Sequence, residues 1–387
     1  MADQSIINSR AGSFRVKMFS AKAPIRHLDL TLMVSVLLLT GAGNMAIKFA
    51  SAPLLEARGA DPNYYLKRQL IYFSLASIGF VMSLLVDYRQ IKGVVPVIYG
   101  GGLLFLILVL APVGQRVAGA QRWVDLGVLQ VQPSELMKLI LIAALAALFS
   151  RRRGDHGPLQ IFQALLMFAI PALLVYLQPD LGTAMVLGAV TFTIMLVAGI
   201  KIRWLIAVLA AGVLAMMLAI QVGVLKDYQV ARLTAFLDSE SDPQRTGYNL
   251  AQSKIAIGSG GFSGKGLMSG SQTNLAYVPE QHTDFVFTAV GEKKGFVGGA
   301  VLLGLFALLL WRCLRIALLS KDLFGTLLAG GVAAMFAFQV FVNIGMTIGI
   351  MPITGIPLPF VSAGGSSLIT SYVAVGLLTS VHMRRFT

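Results

Sequence analysis

Ten stretches of this chain stay apolar long enough to cross a bilayer, and polar residues mark their ends. They lie near 29–48, 69–86, 94–111, 134–150, 161–177, 183–200, 203–225, 296–318, 323–350 and 366–383. About 20 apolar residues cover roughly 30 Å of hydrocarbon, and a helix satisfies its own backbone there. The pattern predicts an all-α integral membrane protein: a polytopic bundle of about ten transmembrane helices, forming one membrane domain over 1–387. The fourth and tenth spans begin among polar or glycine residues. Short segments join most spans, with 226–295 the long exception. A loop of that length in a compact protein is usually functional or disordered, and this one is not disorder-like. YQVARLTAFL reads as a helix lying on the membrane, and YNLAQSKIAIGSGG as a second helix stopped by glycines. DFVFTAVGEKKG is apolar enough to dip back toward the bilayer. The segment is expected to be a large folded lid.

Charge adds orientation. Of 387 residues 56% are apolar and only 12% charged, against about a quarter charged in soluble domains. Alternate inter-span segments hold 17 of the 31 basic residues but only 5 of the 17 acidic ones. Positive residues collect on the cytoplasmic side, so both termini (1–28 and 384–387) are expected in the cytoplasm of a bacterial cytoplasmic (inner) membrane protein. The 226–295 loop is then extracytoplasmic. The net charge of +14 reports this topology and contact with the anionic lipid bilayer, not nucleic acid. The first span is full length, which favours a retained helix over a cleaved signal peptide. The single cysteine, Cys313, excludes an internal disulfide, and no Cys/His metal spacing occurs.

Candidate chemistry gathers on the predicted outer face. YVPEQHTDF, from Tyr277 to Phe285, packs Glu280, His282, Thr283 and Asp284 just before a return to the membrane. Such groups are costly beside hydrocarbon and so mark function. Asp284 is a candidate general base or charge stabiliser, but Thr283 and Asp284 are equally good helix caps, and both readings stand. His282 reads as a hydrogen-bonding scaffold. GAQRWVDLGVLQVQPSELMKL brings Arg122, Trp123, Asp125, Glu135 and Lys138 to the start of the fourth span. Glu135 and Lys138 are three apart, so they are either a plain intrahelical ion pair or the lining of a site. Arg122 and Arg68, at outer span ends, can grip phosphate or simply snorkel, the latter being the stronger reading for Arg68. Trp123 fits an interfacial belt as well as a site. Asp180 in LQPDLGTAM has no basic neighbour in sequence and reads as a hydrogen-bonding tie to another helix. GIMPITGIPLPFVSAGGSS supplies prolines and glycines at a depth where irregular backbone must be buried or line a cavity. The glycine string GSGGFSGKG matches neither Walker A, since Ser259 and Gly266 stand at required positions, nor a dinucleotide fingerprint. It reads as turns allowing close backbone approach.

Taken together, GAQRWVDLGVLQVQPSE, LQPDLGT, QSKIAIGSGGFSGKG, PEQHTDF and NIGMTIGIMPITGIPLPFVSAGGSS resemble the SEDS family of peptidoglycan polymerases, in the same order from about Tyr65 to the C-terminus. DSESDPQRTGYNLAQSKIAIGSGG and GSQTNLAYVPEQHTDF are closer to the elongation type (RodA) than to the division type (FtsW). The resemblance implies a ten-helix glycosyltransferase that polymerises lipid II outside the cytoplasmic membrane. It implies a class B penicillin-binding protein (a transpeptidase) and other elongation-complex membrane proteins as partners. The family's essential aspartate falls on Asp284, its QPSE glutamate and following lysine on Glu135 and Lys138, and its loop arginine and tryptophan on Arg122 and Trp123.

The implied chemistry suits these residues. A GlcNAc 4-hydroxyl attacks the anomeric carbon of MurNAc on undecaprenyl diphosphate, inverting it to a β-1,4 link. Asp284 takes the hydroxyl proton. Arg122, Lys138 and Arg68 supply positive charge to the leaving diphosphate, with or without a divalent cation such as Mg2+. Two departures are visible: Gly291-Glu292-Lys293-Lys294 replaces the family's paired glutamates, and Ala363 stands where tyrosine is common. A flippase or other transporter of the same lipid is the rival reading, since broken helices and intramembrane charges also mark transporters.

Overall fold

The structure is a computed structural model that describes residues 27–111, 114–117, 120–125, 127, 130–151, 156–223, 246–266, 269–275, 277 and 281–385. Its helices are α1 (Leu30–Ala57), α2 (Tyr64–Leu85), α3 (Tyr88–Leu110), α4 (Pro133–Phe149), α5 (Pro158–Leu177), α6 (Leu181–Val197), α7 (Ile202–Gln221), α8 (Thr246–Ser259), α9 (Ser271–Asn274), α10 (Val286–Leu318), α11 (Leu323–Ile348) and α12 (Gly365–Met383). Among the described residues eight are long and apolar enough to span a membrane. α4 and α6, at 17 residues each, complete the ten. Their length of roughly 25 Å is short for a lipid-facing span. It is tolerated in α4 because that helix is buried among its neighbours.

Burial sets the arrangement. α11 and α12 are enclosed along most of their length, whereas α7 buries only Leu205, packs Trp204 and Val208 in part, and exposes most of its other large apolar residues. α12 lies along α2, and α11 is wedged between α4, α6 and α10. Small residues permit this closeness: a Cβ on Gly331 would meet Ile142 and Ile194, and one on Gly376 would meet Phe80 O and Ser83. Aspartates open four helices, α3 among them through Asp87 and Arg89 N. Asp29 caps α1 through Leu32 N, Asp180 caps α6 through Thr183 N, and Asp322 caps α11 through Gly325 N.

One end of the bundle is basic. There Arg312 pairs with Asp29, Arg89 with Asp322 and Arg384 with Asp87, while Lys92 donates to Ser150 O. The other end carries the irregular segments. A small antiparallel sheet of β1 (Gln115–Val117), β2 (Ala120–Asp125) and β3 (Gln130–Val131) joins α3 to α4, an addition to the all-helical expectation. Gln121 ties it down by donating to Val109 O and Ala111 O, carbonyls that the end of α3 leaves without helical partners.

At the end of the long loop residues 286–294 form a short helix that meets 296–318 across a kink at Gly295 (φ 62°, ψ −157°), the two together making α10. The kink frees backbone groups, and the glycine string takes them. Lys265 N and Gly266 N donate to Glu292 O and Lys293 O, while Phe296 N and Val297 N donate to Gly261 O and Phe262 O. A Cβ on Gly295 would fall 2.4 Å from Gly264 N, so the close approach needs glycine. YNLAQSKIAIGSGG forms α8; YQVARLTAFL (228–237) lies outside the described residues, as does Glu280.

Candidate active site

The proline-rich segment between α11 and α12 organises the irregular end. A Cβ on Gly182 of α6 would meet Thr354 O and Ile356, and one on Gly43 of α1 would meet Val361 and Phe360 O. The segment therefore lies directly on both helices. Phe360 holds it from within: its ring is buried against Phe336 and Tyr372 at centroid distances of 5.3 and 5.7 Å, with a left-handed backbone at φ 64°. That conformation costs on the order of 1–3 kcal/mol in a non-glycine residue and persists only where surrounding packing enforces it.

This segment grips the HTDF turn residue by residue. Ala363 N donates to His282 O at 2.9 Å, and Ser362 Oγ donates to Thr283 O at 2.6 Å. Asn343 Nδ2, from the buried end of α11, donates to Asp284 O at 2.9 Å and to Ile356 O at 2.8 Å. Gly355, at φ 72°, brings its backbone so close that a Cβ there would sit 3.2 Å from Asp284 Oδ2. The His282 ring lies 4.2 Å from the Tyr65 ring of α2. Behind the turn, Thr288 hydrogen-bonds Ser253 of α8, which donates to Thr347 O of α11. Asp284 is only half-buried. The backbone is thus fixed, and the residue as a whole is not closed off from the surface.

Beside this turn runs a second polar frame. Arg68 donates to Gln130 Oε1 at 2.9 Å and lies over the Tyr72 ring. It therefore points along the bundle's own polar groups and does not merely snorkel. Tyr72 OH accepts from Gln130 N, and Ser366 Oγ accepts from Gln132 N and donates to Gln130 O. Asp180 is the hub: beyond capping α6 it accepts from Gln132 Nε2 (2.9 Å), Thr183 Oγ1 (2.9 Å) and Ser134 Oγ (3.4 Å). Arg122 Nη1 stands 3.9 Å from Asp180 Oδ1, and Arg122 Nε is buried without a hydrogen-bond partner among the described residues. Trp123 precedes β3 on the same sheet and is half-buried.

Glu135 and Lys138 form a 2.7 Å ion pair, both essentially buried, in the first turns of α4. Among the described residues their polar side-chain contacts are with each other. Ser362 and Gln69, joined by a bond from Gln69 Nε2 to Ser362 O, link the Asp284 turn to α2 and hence to the Arg68 frame. Four groups of the expected residues, Asp284 with His282 and Thr283, Arg68, Asp180 with Arg122, and the Glu135–Lys138 pair, therefore share one end of the bundle. No three His, Cys, Asp or Glu side chains converge as a metal site among the described residues. Asn343, Tyr65 and Gln132 were not singled out in the sequence, and Gly355 only as one of the glycines of the proline-rich segment. For Asn343 a signal existed, an amide within an otherwise apolar helix.

Comparisons with known proteins agree with this architecture. Residues 30–386 match the FtsW/RodA/SpoVE family model, described as "Cell cycle protein". The chain is 38% identical to the probable peptidoglycan glycosyltransferase FtsW of Trichlorobacter lovleyi, covering 92% of this chain and 93% of the relative. It is 36% identical to the peptidoglycan glycosyltransferase MrdB of Escherichia coli K12, covering 93% and 94%. Among solved structures it resembles the rod shape determining protein RodA of Thermus thermophilus (TM-score 0.70, 32% identity, 93% of this chain and 98% of that one). It also resembles a chain of a peptidoglycan synthase complex that coordinates polymerization and crosslinking (TM-score 0.78, 34% identity, 92% and 98%).

Proposed function

The chain belongs to the FtsW/RodA/SpoVE family, and from that membership we propose that it is a membrane peptidoglycan glycosyltransferase polymerising lipid II, with Asp284 as general base. The observation that carries the residue assignment is the framing of Asp284, whose backbone is held by Asn343 while its carboxylate faces Gly355. A base must be fixed to within tenths of an ångström yet remain reachable by substrate.

In the proposed step the acceptor's 4-hydroxyl oxygen bonds to the anomeric carbon of the donor. The bond from that carbon to the diphosphate breaks, with inversion from α to β. The hydroxyl proton passes to Asp284, and the electron pair leaves with the diphosphate. That leaving group is acidic enough to need cations more than a proton. Arg122 has a buried Nε with no partner among the described residues to offer it, and Arg68 has a guanidinium already steered by Gln130. Lys138 is neutralised by Glu135, so we assign the pair to shaping the cavity floor before any direct contact with phosphate. Asp180 and Trp123 support the frame that carries Arg122. A divalent cation such as Mg2+ would draw most of its ligands from the diphosphate and water, since that ion commonly takes only one or two carboxylates from a protein.

Orientation follows from charge. Arg89, Lys92, Arg312 and Arg384 share the end opposite Asp284, which supports a cytoplasmic basic end, cytoplasmic termini and an extracytoplasmic site. The similarity to a synthase complex chain supports a partner, for which we propose a class B penicillin-binding protein within an elongation-type assembly. The test is polymerisation of lipid II in detergent, with that partner present. Detergent leaves no membrane to flip across, so glycan polymer from the wild type and none from Asp284→Ala would support catalysis over transport. Polymer at near wild-type rate from Asp284→Ala would overturn the assignment.

A further inference from the structure

A buried lysine stands where α1 interrupts its own hydrogen-bond ladder. Pro53 lies inside α1, four residues after Phe49. Proline carries no N–H, so the Phe49 carbonyl lacks the donor that a regular helix would place there. Lys293, buried in α10, makes good the loss: its Nζ donates to Phe49 O at 2.7 Å and to Asn274 Oδ1 of α9 at 3.0 Å. An ammonium has three donors and no acceptor, so it can serve two oxygens at once. An ionised glutamate, the residue type that the family resemblance puts at this position, offers only acceptors and could not. Glu292 beside it holds the same short helix α9, accepting from Gln272 N (2.9 Å), Thr273 N (2.8 Å) and Thr273 Oγ1. On its other side α9 grips the turn, since Gln281 Nε2, next to His282, donates to Thr273 O at 2.8 Å. α9 thus braces residues 281–293 ahead of Asp284 and again about two helical turns behind it.

We propose that Lys293 is a positioning residue for the reaction: by giving Phe49 O the hydrogen bond that Pro53 withholds, it fixes the short helix after Asp284, and α9 with it, against α1. The positioning role rests on Asp284 being the base; the bond to Phe49 O does not. α1 is the frame that matters because the proline-rich segment, whose Gly355 faces Asp284 Oδ2, lies on it at Gly43. The carboxylate and the wall opposite it are therefore both registered against one helix. Lys293 and Pro53 then depend on each other. Without the proline, the N–H of residue 53 would satisfy Phe49 O, and the lysine would matter less.

The test is a double-mutant cycle, Lys293→Met with and without Pro53→Ala, on the full chain with its partner in detergent. Melting temperature reads the hydrogen bond, and kcat and KM for lipid II polymerisation read the positioning. Both backgrounds lose the Asn274 contact and the buried charge alike, so those losses cancel in the cycle. Lys293→Met alone is expected to lower kcat about tenfold with KM within about twofold, as a misplaced base would. With Pro53→Ala present the loss should shrink to about threefold or less, and the fall in melting temperature should shrink with it. Asn274→Ala is the control: its effect should be the same in both backgrounds, because its bond to Lys293 does not involve the Phe49 carbonyl. Three results overturn the proposal. One is an equal loss from Lys293→Met in the two backgrounds, including a double variant that folds no better than the single one. Another is rescue of Asn274→Ala to the same extent, which would mean that Pro53→Ala merely stiffens α1. The third is rescue of melting temperature with no change in kcat at any corner of the cycle, which would make Lys293 a fold element. Polymer from the wild type with no coupling removes this inference and leaves the enzymatic reading standing. No polymer from the wild type under any partner condition removes the enzymatic reading and the positioning role with it, and the melting curves then decide the Lys293–Phe49 bond alone.

Discussion

Asn343 fixes Asp284 through one amide that serves two chains of backbone, donating to Asp284 O at 2.9 Å and to Ile356 O at 2.8 Å. The side chain is fully buried at the end of α11. It couples the turn that carries the carboxylate to the proline-rich segment that faces it. Asn343→Leu removes both donors at nearly constant volume and leaves two carbonyls competing for no replacement, a cost of about 1–3 kcal/mol. The expected outcome is a folded protein with a lowered melting temperature and a polymerisation rate down by roughly tenfold to a hundredfold, because small misplacement of a reacting group is costly. Lipid binding should change little. A variant that loses stability but keeps full turnover would show that the amide holds the fold and not the base.

Gly355 tests the carboxylate itself. Its φ of 72° suits glycine, and a Cβ would press to 3.2 Å from Asp284 Oδ2. Gly355→Ala should therefore strain the segment and push the carboxylate aside. A rate loss of about tenfold or more is expected, with substrate KM much less affected. Equal losses in kcat and kcat/KM would mark a transition-state effect.

The Glu135–Lys138 pair separates folding from function. Removing one partner of a buried ion pair leaves an uncompensated charge and costs about 3–5 kcal/mol, whereas replacing both can be nearly neutral. Glu135→Gln and Lys138→Met are each expected to express poorly or melt early. The double variant should recover thermal stability. If the pair also shapes the substrate cavity, the recovered protein will still polymerise slowly. Full activity in the double variant would reduce the pair to a packing element.

Much of this was legible in the sequence, and the reason is solvent. Hydrocarbon leaves a backbone few choices, so apolar length marks the ten helices, whereas the caps that Asp29, Asp180 and Asp322 form were not read from it. Polar residues stand out against such a background, which is why Asp284, Arg122 and Asp180 were visible. Their partners were not. Asp180 meets Gln132 across 48 positions, and Ser362 meets Thr283 across 79. Contacts of that range depend on how helices pack, which no local pattern encodes. The kink of α10 was hidden for a related reason. Gly295, between Lys294 and Phe296, signals little by itself, and the kink is held by the return of the Gly261–Gly266 backbone to fill the broken ladder.

At the basic end, acid should loosen the junction of α3 and α11. Burial tends to raise the pKa of Asp322, but hydrogen bonds from Tyr88 OH (2.6 Å) and Gly325 N and the Arg89 guanidinium outweigh it and hold the carboxyl below its ordinary value. A group with a depressed folded pKa contributes stability that is present above its unfolded value, near 4 for aspartate, and lost as pH falls through the folded value. Thermal stability is thus expected to be level from pH 7 to about 5 and to decline below about 4. Asp322→Asn should be less stable than the wild type at pH 7, with the difference shrinking as the wild-type carboxyl becomes protonated. The contribution is partly screened because the side chain is only partly buried. Melting curves of both proteins in the same detergent at pH 7, 5 and 3.5 check this. A gap between them that stays constant across that range would mean that the Asp322 charge contributes nothing and that the cap acts through its shape alone.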